Sequence, residues 1–349
     1  MSSLIVPICG KSTRFPDMRP KWMLTHPKGD FMVIAAILGL NLDQFDNIYF
    51  VTLQKYEDEY KFAQGLRQNL VEVGISKKSH ILYLTAETSS QPETIYRAIA
   101  QEKIEGSIYI KDCDNYFEPV ESAGNCINYC SLKEFDEVNP NNKSYIKFNK
   151  LGLVENIIEK EIISTTFCCG GYGFESAAEF CETFEKLNLL DTDLYISDII
   201  YDMLLGGKIF NGFDSHSYRD WGTLENWNKY KRTYKTIFCD LDGTIFENSS
   251  SHFPPYIGES PALAKNIERL LELQSKEHLT IIFVTSRSED YREITEKQLD
   301  DLGITYKDLI MGLPHSERIL INDFSKTNPF PSASSINLIR NGDNLSDYL

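Results

Sequence analysis

Hydrophobic and polar positions alternate with two periods along the chain, and these periods predict strands and helices in turn. Short runs of consecutive apolar residues are typical of buried strands, whereas apolar residues three and four positions apart are typical of amphipathic helices. The first third of the chain predicts strands at 3–8, 47–53, 80–85 and 107–112 and helices at 31–40, 56–70 and 92–103. This order favours a parallel sheet with helices on both faces.

The pattern changes in the middle of the chain. Strand-like segments joined by short turns predict a β-rich insertion at 144–149, 152–160 and 165–174. Helices are predicted next at 175–187, 194–205 and 221–235. Upstream of the insertion, Cys126 and Cys130 have the four-residue spacing of one helix face.

The alternation of strands and helices then starts again. Strands are predicted at 236–240, 279–287 and 318–323, and helices at 261–276 and 289–303. The restart predicts an α/β chain with two domains, 1–233 and 234–349. A length of 349 residues is comfortable for two hydrophobic cores.

Charge and cysteine content narrow the classes of partner. The net charge of −16 argues against nucleic acid and against an anionic membrane surface. No apolar run reaches about 18 residues, and the N-terminal basic residues follow a short apolar run, the reverse of a signal peptide. The eight cysteines contain no C-x-x-C pair, which favours buried thiols in a reducing compartment. We therefore expect a cytoplasmic protein without membrane insertion.

A polar loop follows the first predicted strand. Residues 9–21, CGKSTRFPDMRPK, contain glycine, serine and threonine together with basic side chains. Backbone N–H groups in such a loop can converge on phosphate oxygens, and Arg14 and Lys21 can neutralise their charge. The loop matches neither G-x-G-x-x-G nor a Walker motif, so an ordinary polar turn is the alternative.

Pairs of acidic residues end two of the predicted strands. Asp112 ends the strand at 107–112 and Asp114 lies two residues further on, and Asp240 and Asp242 are placed in the same way at the end of the strand at 236–240. Ligands of open α/β sheets bind at the carboxyl ends of the strands, and hard carboxylate oxygens suit Mg²⁺. Acids one residue apart on a strand are expected on the same side of it. A strand-ending aspartate that caps a turn is the alternative.

Residues 1–233 resemble the nucleotidyltransferase family that makes nucleotide sugars, whose signature is G-x-G-T-R-x-x-P…P-K. The matching residues are Gly10, Thr13, Arg14, Pro20 and Lys21. Ser12 replaces the second glycine, which would restrict the approach of the backbone to the phosphates. The resemblance implies a Rossmann-like domain with a mixed sheet and a β-rich insertion.

The same resemblance implies a set of site residues. The implied metal ligands are Asp220 and either Asp112 or Asp114. Arg14 would hold the leaving pyrophosphate and Lys21 the triphosphate or the reacting phosphorus. The implied substrate-binding residues are Gly10, Ser12 and Thr13 at the triphosphate, Gln91 at the base, and Glu159, Lys160 and Gly171 at the acceptor.

Residues 234–349 resemble the haloacid dehalogenase superfamily, and this resemblance implies a small Rossmannoid phosphatase domain without a cap. Asp240 would be the nucleophile and Asp242 the general acid and base. "LTIIFVTSR" supplies Thr285 and Ser286 for the phosphate. "RILIND" supplies Asp323, which would share Mg²⁺ with Asp240 and Asp242.

One position departs from the superfamily pattern. Leu313 stands where a lysine before the last strand is expected to balance the phosphate. Lys297, Lys307 or Arg318 could substitute, and Arg318 or Lys307 is favoured. If none does, this domain would bind phosphate esters without hydrolysing them.

The two resemblances together imply a bifunctional enzyme. One half would transfer a nucleotidyl group from a nucleoside triphosphate, with CTP or UTP favoured, to a sugar or polyol phosphate. The other would hydrolyse phosphate monoesters, and both would use Mg²⁺ or Mn²⁺ for surface polysaccharide precursor synthesis. The alternatives are a phosphatase with a nucleotide-binding regulatory front domain, and an active transferase with an inert rear domain. A homo-oligomeric state is left open.

Overall fold

The computed structural model describes residues 1–135, 140–189, 193–276, 278–323 and 332–349. These residues form two compact units, Met1–Trp227 and Asn228–Leu349. The division into domains at 233 and 234 stays a prediction. Among the described helices, none is both long enough and apolar enough to cross a bilayer.

The first unit contains one ten-stranded sheet and its helices. Its strands are β1 (Ser2–Pro7), β2 (Asn47–Leu53), β3 (Ser79–Leu84), β4 (Ser107–Lys111), β5 (Asn115–Pro119), β6 (Cys126–Ser131), β7 (Ser144–Phe148), β8 (Val154–Glu159), β9 (Thr166–Phe174) and β10 (Asn211–Asp220). Its helices are α1 (Met32–Ile37), α2 (Gln54–Tyr60), α3 (Ala63–Glu72), α4 (Gln91–Glu102), α5 (Ala177–Asn188) and α6 (Ile196–Leu205). Helix α7 (Leu224–Arg232) has residues on both sides of the division.

The sheet is mixed. Its strand order is β3-β2-β1-β4-β9-β6-β10-β5, and β7 pairs with both β8 and β9. Strands β1 to β4 pair in parallel, whereas β9 is antiparallel to β4 and β6. Helices on the sheet bury consecutive apolar residues such as Leu4, Ile5 and Val6 completely. The expected α/β fold with a mixed sheet and a β-rich insertion is therefore confirmed for this unit.

Two expectations about helices in the first unit are wrong. The helix predicted at 56–70 is divided into α2 and α3, because Lys61 takes a left-handed conformation with φ 51° and ends α2. Cys126 and Cys130 lie on strand β6 and not on a helix, and both are buried. A spacing of four is also an even number, so it places two residues on the same face of a strand as well.

The second unit contains a three-stranded parallel sheet in the order β11-β12-β13. Its core contains Leu241, Ile245, Ile281, Phe283 and Leu299, all almost completely buried. The elements after α7 are β11 (Tyr234–Asp240), α8 (Ala264–Lys276), β12 (His278–Val284), α9 (Arg292–Asp301) and β13 (Asp308–Ile310).

The strand predicted at 318–323 is absent from the structure, and the third strand is Asp308–Ile310 instead. Ile319 and Ile321 are 74% and 90% exposed. Three consecutive apolar residues predict a buried strand. A strand is buried only if it pairs with the edge of a sheet and is covered by another layer, and the local sequence pattern shows neither.

Glycine positions give a first prediction about stability. A Cβ atom on Gly39 would lie 2.0 Å from the backbone oxygen of Phe117, so Gly39→Ala should lower the free energy of unfolding by about 1–3 kcal/mol. Gly65 lies in α3, where a Cβ atom would make only ordinary contacts with Phe31. Gly65→Ala should therefore raise it by about 0.5–1 kcal/mol through helix propensity. Urea unfolding of both variants measures these changes, and a Gly39→Ala variant as stable as the wild type would contradict the packing described.

Candidate functional site

A cavity of about 610 Å³ opens at the carboxyl ends of β1 and β4 in the first unit. The loop after β1, the start of α4, the end of β4 and the end of β10 all contribute to its wall. Nine residues expected from the sequence line it: Gly10, Ser12, Arg14, Lys21, Gln91, Asp112, Asp114, Glu159 and Asp220. The fold therefore brings together side chains from five separate segments of the chain.

Three of the expected residues are outside the cavity wall. Thr13 is an exposed loop residue, and Lys160 lies just beyond the lining residues. A Cβ atom on Gly171 would meet the Tyr109 hydroxyl at 2.2 Å, so this glycine serves close packing in the core. Its neighbour Gly170 lines the cavity instead.

Ser12 is the residue that replaces a glycine in the expected signature. It has φ 51°, in the left-handed region that glycine favours. The Ser12 hydroxyl accepts a hydrogen bond from the Lys21 backbone N–H at 2.9 Å. The serine thus takes the turn conformation that a glycine would supply, and its side chain ties the two ends of the loop.

Asp114 forms an ion pair with Lys21 in the interior of the cavity. Burial alone would raise the pKa of Asp114, but the Lys21 ammonium outweighs burial, with help from Arg14 and Lys143, and holds this pKa at about 2. Burial alone would likewise lower the pKa of Lys21, and the Asp114 carboxylate raises it. The Asp114 carboxylate is therefore kept ionised.

Asp112 lies in a different environment. Gln91 Nε2 donates to Asp112 Oδ1 at 2.7 Å, and burial, with the nearby Asp114 charge, raises the pKa of Asp112 to about 6. The expectation that both acids lie on one side of a strand is wrong, because β4 ends at Lys111 and the chain turns through 112–114. Of the two acids, Asp114 is the one that lies near Asp220.

The Asp114 and Asp220 carboxylates both lie next to Gly222. A Cβ atom on Gly222 would lie 3.0 Å from Asp220 Oδ1 and 3.1 Å from Asp114 Oδ2, so both oxygens border the same small space. No group of three or more His, Cys, Asp and Glu side chains suited to a metal occurs among the described residues. Mg²⁺ is commonly held by one or two carboxylates together with substrate phosphates. The donor set at this place therefore fits Mg²⁺ or Mn²⁺.

Sequence reasoning missed Lys111. This lysine is completely buried, and burial lowers its pKa to about 8. Its ammonium donates to the backbone oxygens of Asp112 and Asn115 at 2.8 and 2.9 Å, and to the Asn115 side chain. Lys111 therefore fixes the turn that carries the acid pair. A lysine at the end of a mostly apolar, buried strand is the signal that could have found it.

Lys143 was also missed. Its Nζ donates to Asp220 Oδ2 at 2.7 Å and to the Tyr218 hydroxyl at 2.6 Å. The residue directly precedes β7 and lines the cavity. Nothing in the polar stretch around it distinguishes this lysine from a surface lysine.

Glu159 and Tyr195 also line the cavity. Glu159 accepts a hydrogen bond from the Ser144 hydroxyl. Lys160 Nζ donates to the Tyr195 hydroxyl at 2.8 Å and lies 4.4 Å from the centre of its ring. This hydrogen bond is the main reason that the pKa of Lys160 is raised. The wall thus presents a carboxylate and a phenol, with a lysine behind the phenol.

In the second unit, the acid pair at the end of β11 has two arginine partners. Arg318 Nη2 lies 3.2 Å from Asp240 Oδ1, and burial raises the pKa of Asp240 in spite of this guanidinium. Thr285 Oγ1 donates to Asp242 Oδ2 at 3.3 Å. Of the basic residues expected to replace the missing lysine, Arg318 is the one that contacts the acid pair through a described ion pair.

Arg287 is the second arginine, and sequence reasoning missed it. Its Nε and Nη2 donate to Asp242 at 2.9 and 2.8 Å, and its Nη1 donates to Thr295 and Gln298 of α9. The arginine side chain is 1% exposed. Its position two residues after Thr285, directly beyond β12, is the signal that was overlooked.

Two other expected residues of the second unit are not joined to the acid pair. Asp323 is exposed, and its described hydrogen bonds are with Asn322 and Ser332. The Ser286 hydroxyl donates to the Pro314 backbone oxygen at 3.4 Å. Because the strand predicted at 318–323 is absent, Asp323 is not held at a strand end as the sequence predicts.

Comparisons with known proteins place the fold of the first unit. No protein-family model and no curated protein matches this chain. The solved structures that it resembles include a nucleoside-diphosphate-sugar pyrophosphorylase from Vibrio cholerae RC9, with a TM-score of 0.55 and 18% identity over 66% of this chain and 99% of that one. The inositol-1-phosphate CTP transferase from T. maritima has a TM-score of 0.51 and 13% identity over 64% and 90% of the two chains. A UDP-glucose pyrophosphorylase complexed with UDP-glucose has a TM-score of 0.51 and 14% identity over 66% and 97%.

These structures show that the chain contains the fold of a sugar-phosphate nucleotidyltransferase. Each match covers about two-thirds of the chain and nine-tenths or more of the other protein. The sequence-based expectation of this fold is thereby confirmed. The comparisons give no support to a haloacid dehalogenase domain in the remaining third, which stays a prediction.

The buried ion pair of Arg287 gives a prediction about stability. Arg287→Met should lower the free energy of unfolding by about 3–5 kcal/mol, because it leaves the Asp242 carboxylate without its bidentate partner. Arg292→Met removes a partly exposed arginine that pairs with Glu289 and Glu296, and should change stability much less than Arg287→Met does. Denaturant unfolding of both variants is the measurement. The double variant Arg287→Met, Asp242→Asn should recover part of the loss, and strict additivity would contradict a direct interaction.

Proposed function

We propose that this chain is a nucleotidyltransferase that joins a nucleoside monophosphate group to a sugar or polyol phosphate. A phosphate oxygen of the acceptor attacks the α-phosphorus of a nucleoside triphosphate, a new P–O bond forms, and the bond to pyrophosphate breaks. The acceptor phosphate is already an anion, so the reaction needs no general base. The demand on the protein is to position the reactants and to neutralise charge.

One observation carries the proposal. The Asp114 and Asp220 carboxylates border one small space at the carboxyl edge of the sheet, and Lys21 and Lys143 pair with them inside the 610 Å³ cavity. A cavity that combines paired carboxylates with several cationic side chains suits a ligand that brings both phosphate groups and a divalent cation. The similarity to nucleotidyltransferase structures adds support at the level of the fold.

Roles for the remaining residues follow from their positions. Lys21 and the exposed Arg14 enter from the loop after β1 and would neutralise the triphosphate and the leaving pyrophosphate. Asp114 and Asp220 would hold Mg²⁺ or Mn²⁺, which supplies charge neutralisation at the phosphates when bound. Gln91 at the start of α4 is the candidate for reading the base. Glu159 and Lys160 are the candidates for binding the acceptor.

The test is pyrophosphate release by the full chain with Mg²⁺. CTP, UTP, ATP and GTP are each offered with a panel of sugar and polyol phosphates, and CTP or UTP is expected to give the highest rate. Pyrophosphate release that depends on both substrates and stops in excess chelator supports the proposal. Absence of release with every pair would overturn it.

A second candidate function belongs to the second unit. Asp240 and Asp242 at the end of β11, with the Arg318 guanidinium 3.2 Å from Asp240, favour binding and hydrolysis of a phosphate monoester. An Asp240 oxygen would attack phosphorus, the alcohol would leave, and water would then release orthophosphate from the aspartyl group. Together the two activities would make a bifunctional enzyme of surface polysaccharide precursor synthesis. The exposed Asp323 and the leucine at 313 favour the alternative of a phosphate-binding unit without turnover.

Single carboxylate substitutions should separate the two activities. Asp220→Ala should lower the transferase kcat/KM at least about 100-fold by removing a cation ligand, and should leave orthophosphate release unchanged. Asp240→Asn keeps the shape but removes the nucleophile, so it should abolish orthophosphate release and spare the transferase. Pyrophosphate and orthophosphate are measured on one preparation of each variant. Loss of both activities in a folded variant would contradict two independent sites.

Gly222 provides a prediction specific to the proposed cation site. Gly222→Ala places a methyl group 3.0 and 3.1 Å from the two carboxylate oxygens, so it should weaken Mn²⁺ binding about tenfold or more. The space is small, so the two carboxylates must move to admit the methyl group. Titration of free Mn²⁺ by electron paramagnetic resonance measures the affinity, with Gly65→Ala as the control. Unchanged Mn²⁺ affinity in Gly222→Ala would argue against a cation between Asp114 and Asp220.

A further inference from the structure

Lys143 is a largely buried lysine that contacts a carboxylate and two aromatic rings. Its side chain is only 11% exposed, and its Nζ donates to Asp220 and to the Tyr218 hydroxyl. The ammonium also lies 5.0 Å from the centre of the Tyr218 ring and 5.7 Å from that of Phe167. Cations are attracted to aromatic faces, so these two rings partly compensate the lysine charge independently of Asp220.

The oxygens of Asp220 are both in use. Oδ1 accepts from the Gly222 backbone N–H at 2.8 Å, and Oδ2 accepts from Lys143 at 2.7 Å. A divalent cation between Asp114 and Asp220 would therefore meet ammonium groups that already occupy the two carboxylates. The Lys143 ammonium would repel a divalent cation bound to Asp220, so the cation and Lys143 compete for this carboxylate.

We propose that Lys143 is a phosphate-binding residue of the nucleotide site and that it acts as the counter-ion of Asp220 until the cation arrives. When nucleotide and cation enter together, the ammonium leaves Asp220 for a phosphate oxygen, and the carboxylate becomes available to the cation. An ammonium is a point charge with three donors, which suits phosphate oxygens. This inference rests on the nucleotidyltransferase function proposed above.

This exchange of Lys143 between Asp220 and a phosphate makes the affinity for the cation depend on whether the triphosphate is bound. In the wild-type chain, a cation alone must displace Lys143 from Asp220, whereas a phosphate group that takes up the ammonium removes the competitor. Loss of the lysine charge should therefore have opposite effects on the two ligands offered singly. Cation binding becomes tighter and metal-free triphosphate binding becomes weaker, and the coupling between them falls.

The experiment compares wild type, Lys143→Met, Lys143→Arg and Lys147→Met in the full chain. Lys147→Met is the matched control, because it removes the same charge from β7. Lys147 pairs with Glu155 at 3.0 Å and is not among the cavity-lining residues. Mn²⁺ alone is titrated by electron paramagnetic resonance. CTP and UTP are titrated in excess EDTA by calorimetry. Thermal unfolding checks that each variant is folded, and Lys143→Gln replaces Lys143→Met if the methionine variant does not fold.

Lys143→Met should bind Mn²⁺ about tenfold more tightly than the wild type and metal-free triphosphate about tenfold more weakly, and Lys147→Met should change neither affinity. Lys143→Arg, which keeps the charge, should stay close to the wild type in Mn²⁺ affinity. Unchanged or weaker Mn²⁺ binding in Lys143→Met overturns the counter-ion role, and unchanged triphosphate binding overturns the phosphate-binding role. If the wild type binds no triphosphate even with Mn²⁺, the proposed function itself fails, while the titration with Mn²⁺ alone still decides whether Lys143 competes for Asp220.

Discussion

The cost of burying carboxylates at the edge of the sheet is the constraint on which the first unit depends. An ionised carboxylate away from water is stable only with a partner of opposite charge or with several hydrogen bonds. Asp114 and Asp220 each have a lysine, whereas Asp112 has an amide partner and a raised pKa. The positions of Lys21 and Lys143 follow from this requirement.

The second unit meets the same requirement with two arginines that differ in exposure. Arg287 is enclosed and held by two side chains of α9, so Asp242 has a fixed partner. Arg318 belongs to an exposed segment without regular structure, and its described ion pair with Asp240 is open to solvent. Asp242 is therefore already paired with a buried arginine. Asp240 is paired with a guanidinium that is accessible to a phosphate from solvent.

Features with a strong local signal could be predicted from the sequence. Consecutive apolar runs identified β1, β2 and β4, and the loop after β1 and the acids after β4 identified one part of the cavity wall. Lys143 could not be predicted, because its role comes from a pairing with Asp220, 77 residues away. The strand predicted at 318–323 is absent, because an apolar run does not show whether the edge of a sheet is available for pairing. The different environments of Asp112 and Asp114 depend on where β4 ends, which the pattern located only to within one residue.

The pairing of β10 with β5 has a consequence for how the chain folds. In this register Asp220 lies opposite Asn115, and Lys21 reaches Asp114 across 93 residues of sequence. Contacts of such long range are costly in chain entropy and form late. During synthesis, the carboxylate pair therefore cannot assemble until β10 has left the ribosome and joined the sheet. Until then, the acidic turn after β4 lacks the strand that carries Asp220, so the space bordered by both carboxylates is not yet formed.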